Sequence, residues 1–93
     1  MNQIELIELR REKLKTRIAS HLDLLIGSVH KTPSQRGHHL TTKVDGKSAT
    51  KYVRKELAPM AREMTRNHLQ VRKLLRQLSA LNWRWLQLKN PPE

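Results

Sequence analysis

The chain of 93 residues contains no cysteine and no phenylalanine, and it has only one tyrosine and two tryptophans. The absence of cysteine excludes disulfide bridges and thiolate metal sites, and it leaves the redox compartment undetermined. Because aromatic residues are scarce, the apolar content is mostly Leu, Ile, Val, Met and Ala, which favours packed helices over a sheet sandwich. A chain of this length predicts one domain with a thin core, which is compatible with an obligate oligomer.

Long apolar runs are also missing. No run approaches the roughly 18 residues of a membrane-spanning helix, and the first residues include acids without the apolar core of a signal peptide. We therefore expect a soluble, cytoplasmic protein that has no membrane partner.

Recognisable catalytic and metal-binding motifs are absent as well. The sequence has no cysteine nucleophile, no Gly-rich phosphate loop and no Ser or carboxylate in a known motif, so we expect a non-enzymatic protein without catalytic residues or a cofactor. His30, His38 and His39 flank one loop, but their spacing matches no zinc site. The sequence therefore predicts no metal.

Acidic residues are few, with 8 Asp and Glu against 19 Lys and Arg, which gives a formal net charge of +11. Cations placed near phosphates release condensed counterions, so a surplus of this size indicates a polyanionic partner. Nucleic acid is the first expectation and an anionic membrane the weaker one. The charge alone does not distinguish DNA from RNA.

Hydrophobic periodicity predicts a mainly α protein with one β-hairpin. Residues 1–27 are predicted as a first helix that runs from Asn2 to about Ile26 and stops at Gly27. Residues 28–37 are rich in Gly, Ser and Pro and are predicted as a loop, and residues 38–54 as a basic β-hairpin. Residues 55–89 are predicted as a long helix, followed by a tail at 90–93. The two helices are expected to pack as an antiparallel pair.

The long helix carries a heptad repeat whose two seams are apolar except at Asn67. The seam positions are Leu57, Met64, Val71, Leu78 and Trp85, and Met60, Asn67, Leu74, Leu81 and Leu88. Because this helix is longer than the first one, part of its seam is expected to stay uncovered. The sequence therefore predicts a homodimer through Leu78, Leu81, Trp85 and Leu88, with Asn67 helping to fix the register.

The hairpin prediction depends on Asp45 and Gly46, which form a strong two-residue turn signal. A type I′ turn would oppose Val44 to Lys47 and mix apolar and charged residues on both faces. A three-residue loop would oppose Lys43 to Lys47 and separate a packing face from a basic face. We favour the second register because it sorts the faces.

A basic two-stranded ribbon fits the major groove of duplex DNA, so we expect the hairpin to bind double-stranded DNA. The residues predicted to contact nucleic acid are Arg36, His39, Lys43, Lys47, Lys51, Arg54, Lys55, Arg62 and Arg66. A bland interpretation is that the lysines only protect exposed strand edges from aggregation. An alternative function is a protein-interaction module, an inhibitor or adaptor that binds a protein partner through the cationic surface and the helical seam.

The stretch from the hairpin into the long helix resembles a family of short, uncharacterised prokaryotic proteins associated with insertion sequences. The resemblance covers about half of the chain and depends on a Gly-Lys turn, a Tyr-Val strand end and Lys-Glu-Leu at the start of a helix that ends near Ala-Leu-Asn. The matching residues here are Gly46, Lys47, Tyr52, Val53, Lys55, Glu56, Leu57, Ala80, Leu81 and Asn82. Many relatives carry a cysteine knuckle before the hairpin, which this chain lacks. The resemblance implies a mobile-element setting and is compatible with DNA binding.

Overall fold

A computed structural model describes residues 1–31 and 37–89 and confirms a helix-rich chain with a long C-terminal helix. The elements are α1 (Gln3–Ala19), β1 (Ser28–His30), β2 (His38–Val44), β3 (Lys47–Val53), a 3-10 turn (Lys55–Leu57) and α2 (Ala58–Lys89). The chain divides into two compact units, and α2 contributes to both of them. The helical unit comprises Met1–Leu22 and Gln70–Glu93, and the sheet unit comprises Asp23–Leu69. No helix in the described ranges is long and apolar enough to cross a membrane.

Helix α1 begins with a side-chain cap and ends earlier than predicted. The Asn2 side chain accepts a hydrogen bond from the Glu5 backbone N–H at 2.8 Å, which satisfies one of the free donors of the first turn. The prediction of helix up to about Ile26 is wrong, because α1 ends at Ala19. The Ser20 hydroxyl and the His21 ring both bond the Arg17 carbonyl, so local side chains compete for an acceptor of the last turn.

In the helical unit, α1 packs against the C-terminal part of α2. Ile7 of α1 and both Val71 and Leu74 of α2 are buried. The Arg11 guanidinium lies 4.6 Å from the centroid of the Trp85 ring, a cation–π contact that joins the two helices. The first half of α1 lines a depression with Leu81 and Arg84, and the second half lines one with Gln77 and Leu81, so the contacts run antiparallel.

The sheet has three strands rather than the two that were predicted. Its order is β1-β2-β3, with both neighbouring pairs antiparallel. Strand β1 lies in the segment that was predicted as a loop, and its three residues are too few to show an alternating pattern. Gly27 precedes β1 with φ +139°, and a Cβ atom there would lie 2.3 Å from the Thr41 carbonyl oxygen. The close approach of two backbones therefore requires glycine at this position.

The register of the hairpin differs from the favoured prediction. Val44 pairs with Lys47, which leaves a two-residue turn of Asp45 (φ +53°) and Gly46 (φ +77°). Two positive φ values identify a type I′ turn, whose twist matches that of the flanking strands. Turn chemistry decides the register because β3 is exposed along almost its whole length, so no buried face enforces sorting.

The core of the sheet unit is small and lies where the sheet meets the start of α2. Leu40, Ala58, Ala61 and Thr65 are its buried residues in the described part of the unit. Ala58 and Ala61 have small side chains, which suits a tightly packed core at the start of α2. Pro59 is accommodated in the first turn of α2, where no intrahelical N–H is needed.

Asn67 has a role inside the chain that the heptad pattern did not indicate. Its side-chain amide donates a hydrogen bond to the Asp23 carbonyl oxygen at 2.9 Å. One turn earlier, the Leu25 backbone N–H donates to the Met64 carbonyl at 3.1 Å. These two bonds attach the segment before β1 to α2 within the sheet unit. The polar position in the seam is therefore used by the chain's own backbone.

Candidate nucleic-acid interface

The strand register assigns the hairpin side chains to two faces, since directly paired residues point the same way. The face that contains Leu40, called the Leu40 face, also holds Val29, His38, Thr42, Val44, Lys47, Ala49, Lys51 and Val53. The opposite face, called the Tyr52 face, holds Ser28, His30, His39, Thr41, Lys43, Ser48, Thr50 and Tyr52.

The predicted single basic face with three lysines does not form. Lys47 and Lys51 share the Leu40 face, whereas Lys43 lies on the Tyr52 face and pairs with Ser48. The one-residue difference in register moves Lys43 to the other side of the ribbon. All three lysines are exposed. The ribbon therefore presents a pair of lysines on one side and a single lysine on the other.

The remaining predicted cations continue from the end of β3 into α2. Arg54, Lys55, Arg62 and Arg66 are all exposed. Within residues 1–31 and 37–89 the one ion pair joins Lys15 to Glu12, so none of these four cations has a carboxylate partner there. The predicted contact at residue 36 lies outside the described residues.

The side chain of His39 contacts other residues of the sheet and is only partly accessible to a binding partner. Its ring is half-buried and meets the Tyr52 ring edge-on, with centroids 5.9 Å apart. His30 pairs directly with His39 and shares a weak 3.5 Å contact with the Thr41 hydroxyl. These contacts indicate a packing role for His39, which sequence reasoning had assigned to nucleic acid.

Two residues that the sequence analysis did not nominate, Lys31 and His38, join the cationic site. His38 begins β2 on the Leu40 face, and its Nδ1 atom is shielded from solvent without a hydrogen-bond partner among the described residues. Burial of the ring lowers the pKa of His38 below its ordinary 6.5, and the neighbouring Arg62, Lys31, Lys55 and His39 lower it further. The signal that could have indicated this site is the His-His doublet close to the paired strands.

An apolar depression lies beside these cations in the sheet unit. Its lining residues are Leu25, Tyr52, Val53, Arg54, Leu57, Met60, Ala61 and Met64. Met60 and Tyr52 are each 63% exposed and Leu57 is 51% exposed. The heptad pattern had placed Leu57 and Met60 on a packed seam, so the start of that seam is open in the described structure.

The predicted dimer interface lies in the helical unit. Leu78, Leu81, Trp85 and Leu88 are half-buried. Leu81 shares one depression with Ile7 and another with Leu14, both from α1. The premise that α1 leaves these four residues uncovered is therefore wrong, whereas the dimer itself stays a prediction.

The described side chains include no group of three or more His, Asp or Glu that could hold a metal ion. Comparison of the chain with protein-family models, with curated proteins and with solved structures finds no match. The cationic and apolar surfaces are therefore the features that indicate a function.

Proposed function

We propose that this chain is a non-enzymatic nucleic-acid-binding protein that holds duplex DNA through the cations of the sheet unit, in the service of a mobile element. The observation that carries the proposal is a set of exposed cations that no carboxylate neutralises in the described structure. The set comprises Lys43, Lys47, Lys51, Arg54, Lys55, Arg62 and Arg66. Cations free of internal partners can replace the counterions of a phosphate backbone.

The first test is the salt dependence of binding to a labelled DNA duplex, followed by fluorescence anisotropy. We expect affinity to fall as salt rises, with a log–log slope of about −0.9 for each phosphate neutralised. The variant Lys43→Gln, Lys47→Gln, Lys51→Gln should bind more weakly and show a shallower slope, because it lacks three exposed cations of the hairpin.

A control of equal charge loss separates a located interface from general attraction. Lys13→Gln, Lys73→Gln, Arg76→Gln removes three exposed cations from the helical unit instead. We expect this control to retain most of the affinity and slope. Equal losses in both triple variants would show that the hairpin is not the interface, and binding that does not weaken with salt would refute the electrostatic proposal altogether.

The apolar depression supports a second candidate, a protein-interaction module. Exposed Tyr52, Leu57 and Met60 beside Arg54 form the kind of amphipathic surface that accepts another protein. Pull-down from a nuclease-treated lysate distinguishes the candidates. A nucleic-acid partner disappears with the nuclease, whereas a protein partner remains and is lost in Met60→Asp.

A further inference from the structure

Strand pairing gathers basic groups at one end of the sheet. His30, the last residue of β1, pairs with His39, and Lys31 and His38 are the chain neighbours of these two residues. On its other side His38 pairs with Val53, the last residue of β3. The chain then supplies Lys55 from the 3-10 turn and Arg62 from α2. The residue after β1, the first residue of β2, the 3-10 turn and α2 thus contribute to one cluster, called here the His38 cluster: Lys31, His38, Lys55 and Arg62.

Charge in the His38 cluster is unbalanced. Lys31, Lys55 and Arg62 are all near enough to His38 to disfavour its protonated form, and no carboxylate opposes them among the groups that act on its ring. Glu56 and Glu63 are sequence neighbours of two of these cations, yet neither forms an ion pair in the described structure. Like charges held together without an acid repel one another, so this arrangement favours an anionic ligand.

A second feature of the His38 cluster is a ring nitrogen of His38 that forms no hydrogen bond in the described structure. Its Nδ1 atom is inaccessible to solvent and has no partner among residues 1–31 and 37–89. Buried polar atoms are nearly always hydrogen-bonded, so an orphan of this kind calls for an explanation. His39 also has a buried Nδ1, but it lies on the opposite face of β2 and packs on Tyr52.

We infer that the His38 cluster binds a phosphate group. The two lysines act as point charges, the Arg62 guanidinium can offer two parallel donors to two phosphate oxygens, and protonation of His38 adds a further positive charge. The inference rests on the proposed function in one respect, namely that the natural source is a phosphodiester of nucleic acid. Free phosphate has the same chemistry and is distinguished by experiment.

The pH dependence follows from the surroundings of the ring, which are its burial first and then the charges of Arg62, Lys31, Lys55 and His39, the last of these from the opposite face of β2. Without a ligand these effects favour the neutral ring, since they lower its pKa below the ordinary 6.5. A bound phosphate offsets part of this positive charge and so favours the protonated ring. Phosphate affinity should therefore rise as the pH falls through the pKa of His38.

The first experiment titrates the full chain with inorganic phosphate, with chloride at equal ionic strength as reference, while the His38 ring is followed by NMR. We expect a saturable shift with phosphate and a raised pKa of His38 in the bound state. Arg62→Gln and Lys31→Gln should each weaken phosphate binding by about fivefold, the factor expected for an exposed ion pair. Lys73→Gln, an equal charge change in the helical unit, should not.

The second experiment adds a DNA duplex and separates this inference from the proposed function. If duplex binds while phosphate leaves His38 unchanged and both variants behave as the wild type, the cluster is not a phosphate site although the function stands. If phosphate binds at His38 and duplex does not, the site stands and the nucleic-acid function fails. An equal response to chloride would also overturn the site, as would a folded His38→Gln variant that binds phosphate with the same pH dependence as the wild type.

Discussion

Gly27 is the residue at which the backbone leaves least room for a side chain. Its φ of +139° is unfavourable for any other residue, and an added Cβ would meet the Thr41 carbonyl oxygen at 2.3 Å. We expect Gly27→Ala to lower the free energy of unfolding by about 3 kcal/mol, measured by urea denaturation. Gly46→Ala is the control, because φ is also positive there (+77°) but nothing lies within 4 Å of the added atom.

The control should therefore show only the conformational penalty, about 1 kcal/mol. Equal losses in the two alanine variants would mean that the approach of β1 to β2 at Gly27 is looser in solution. Such a result would also weaken the case for the β1–β2 pairing, next to which Lys31 and His38 lie.

His38 gives the fold a pH dependence with a definite sign. Because the pKa of the folded state is lowered, first by burial and then by the adjacent cations, the unfolded chain binds a proton at higher pH than the folded chain. The contribution of His38 to the free energy of unfolding is thus fully present above pH 6.5, and it is lost as the pH falls through the pKa of the folded state. In phosphate-free buffer we expect the urea midpoint to fall between neutral pH and about pH 5.

The matched variant for this titration is His38→Gln, which keeps a polar side chain without a titrating group. Its midpoint should vary less over the same range. A midpoint in the wild type that stays constant, or that rises on acidification, would show that the folded pKa of His38 is not lowered.

Among the elements, the hairpin shows how far turn chemistry can be predicted. The Asp-Gly turn and both strands lie within the predicted 38–54, because Asp45 and Gly46 tolerate positive φ. The register was wrong for a physical reason: sorting of faces is enforced only where one face is buried, and here only Val53 of β3 is partly covered. The alternation of apolar and polar residues could not indicate the register, because β3 has no buried face.

Strand β1 marks the limit of local reasoning about the candidate site. The three residues of β1 are too few to show an alternating pattern, and their pairing with β2 is set by tertiary contact. The cations on β3 and α2 could be nominated from sequence alone. Lys31 could not, because nothing in the sequence indicates that the residues just before it pair with the strand that begins at His38.

The two helices differ in how much they depend on packing. Helix α1 buries Ile7 alone, whereas α2 buries five residues along its length, namely Ala58, Ala61, Thr65, Val71 and Leu74. Most of the stability of a helix in a protein comes from the packing of its apolar face, so we expect α1 to depend on its contacts with α2. The heptad pattern correctly identified α2 but could not indicate that Asn67 bonds the chain's own backbone.

At the scale of the whole molecule, the positive charge is not concentrated in one unit. The helical unit has ten Lys and Arg against four Asp and Glu, a net +6, and the sheet unit has nine against four, a net +5. Attraction to a polyanion is therefore expected from either unit. The location of a binding surface in the sheet unit therefore depends on geometry, namely on the cations that lie near the partly buried His38 ring.

The oligomeric state depends on which apolar residues the monomer leaves exposed. Leu81 and Trp85 are half-buried in the helical unit, while Leu75, Trp83 and Leu86 of the same helix are 49%, 63% and 46% exposed. A homodimer that preserves the pairing of α1 with α2 would have to use the exposed set. One that uses the predicted set would have to displace α1.

Two aspartate variants on α2 decide between these arrangements, with light scattering for mass and circular dichroism for helix content. We expect wild type at twice the chain mass of 11.0 kDa, and Leu86→Asp at the monomer mass with its helices intact. Leu81→Asp should instead lose helical signal, because a charge beside Ile7 and Leu14 would separate α1 from its partner. If Leu81→Asp stays helical and becomes monomeric while Leu86→Asp remains a dimer, the heptad seam is the interface and α1 yields its place to a second chain. A wild type of 11.0 kDa would refute the dimer in either form.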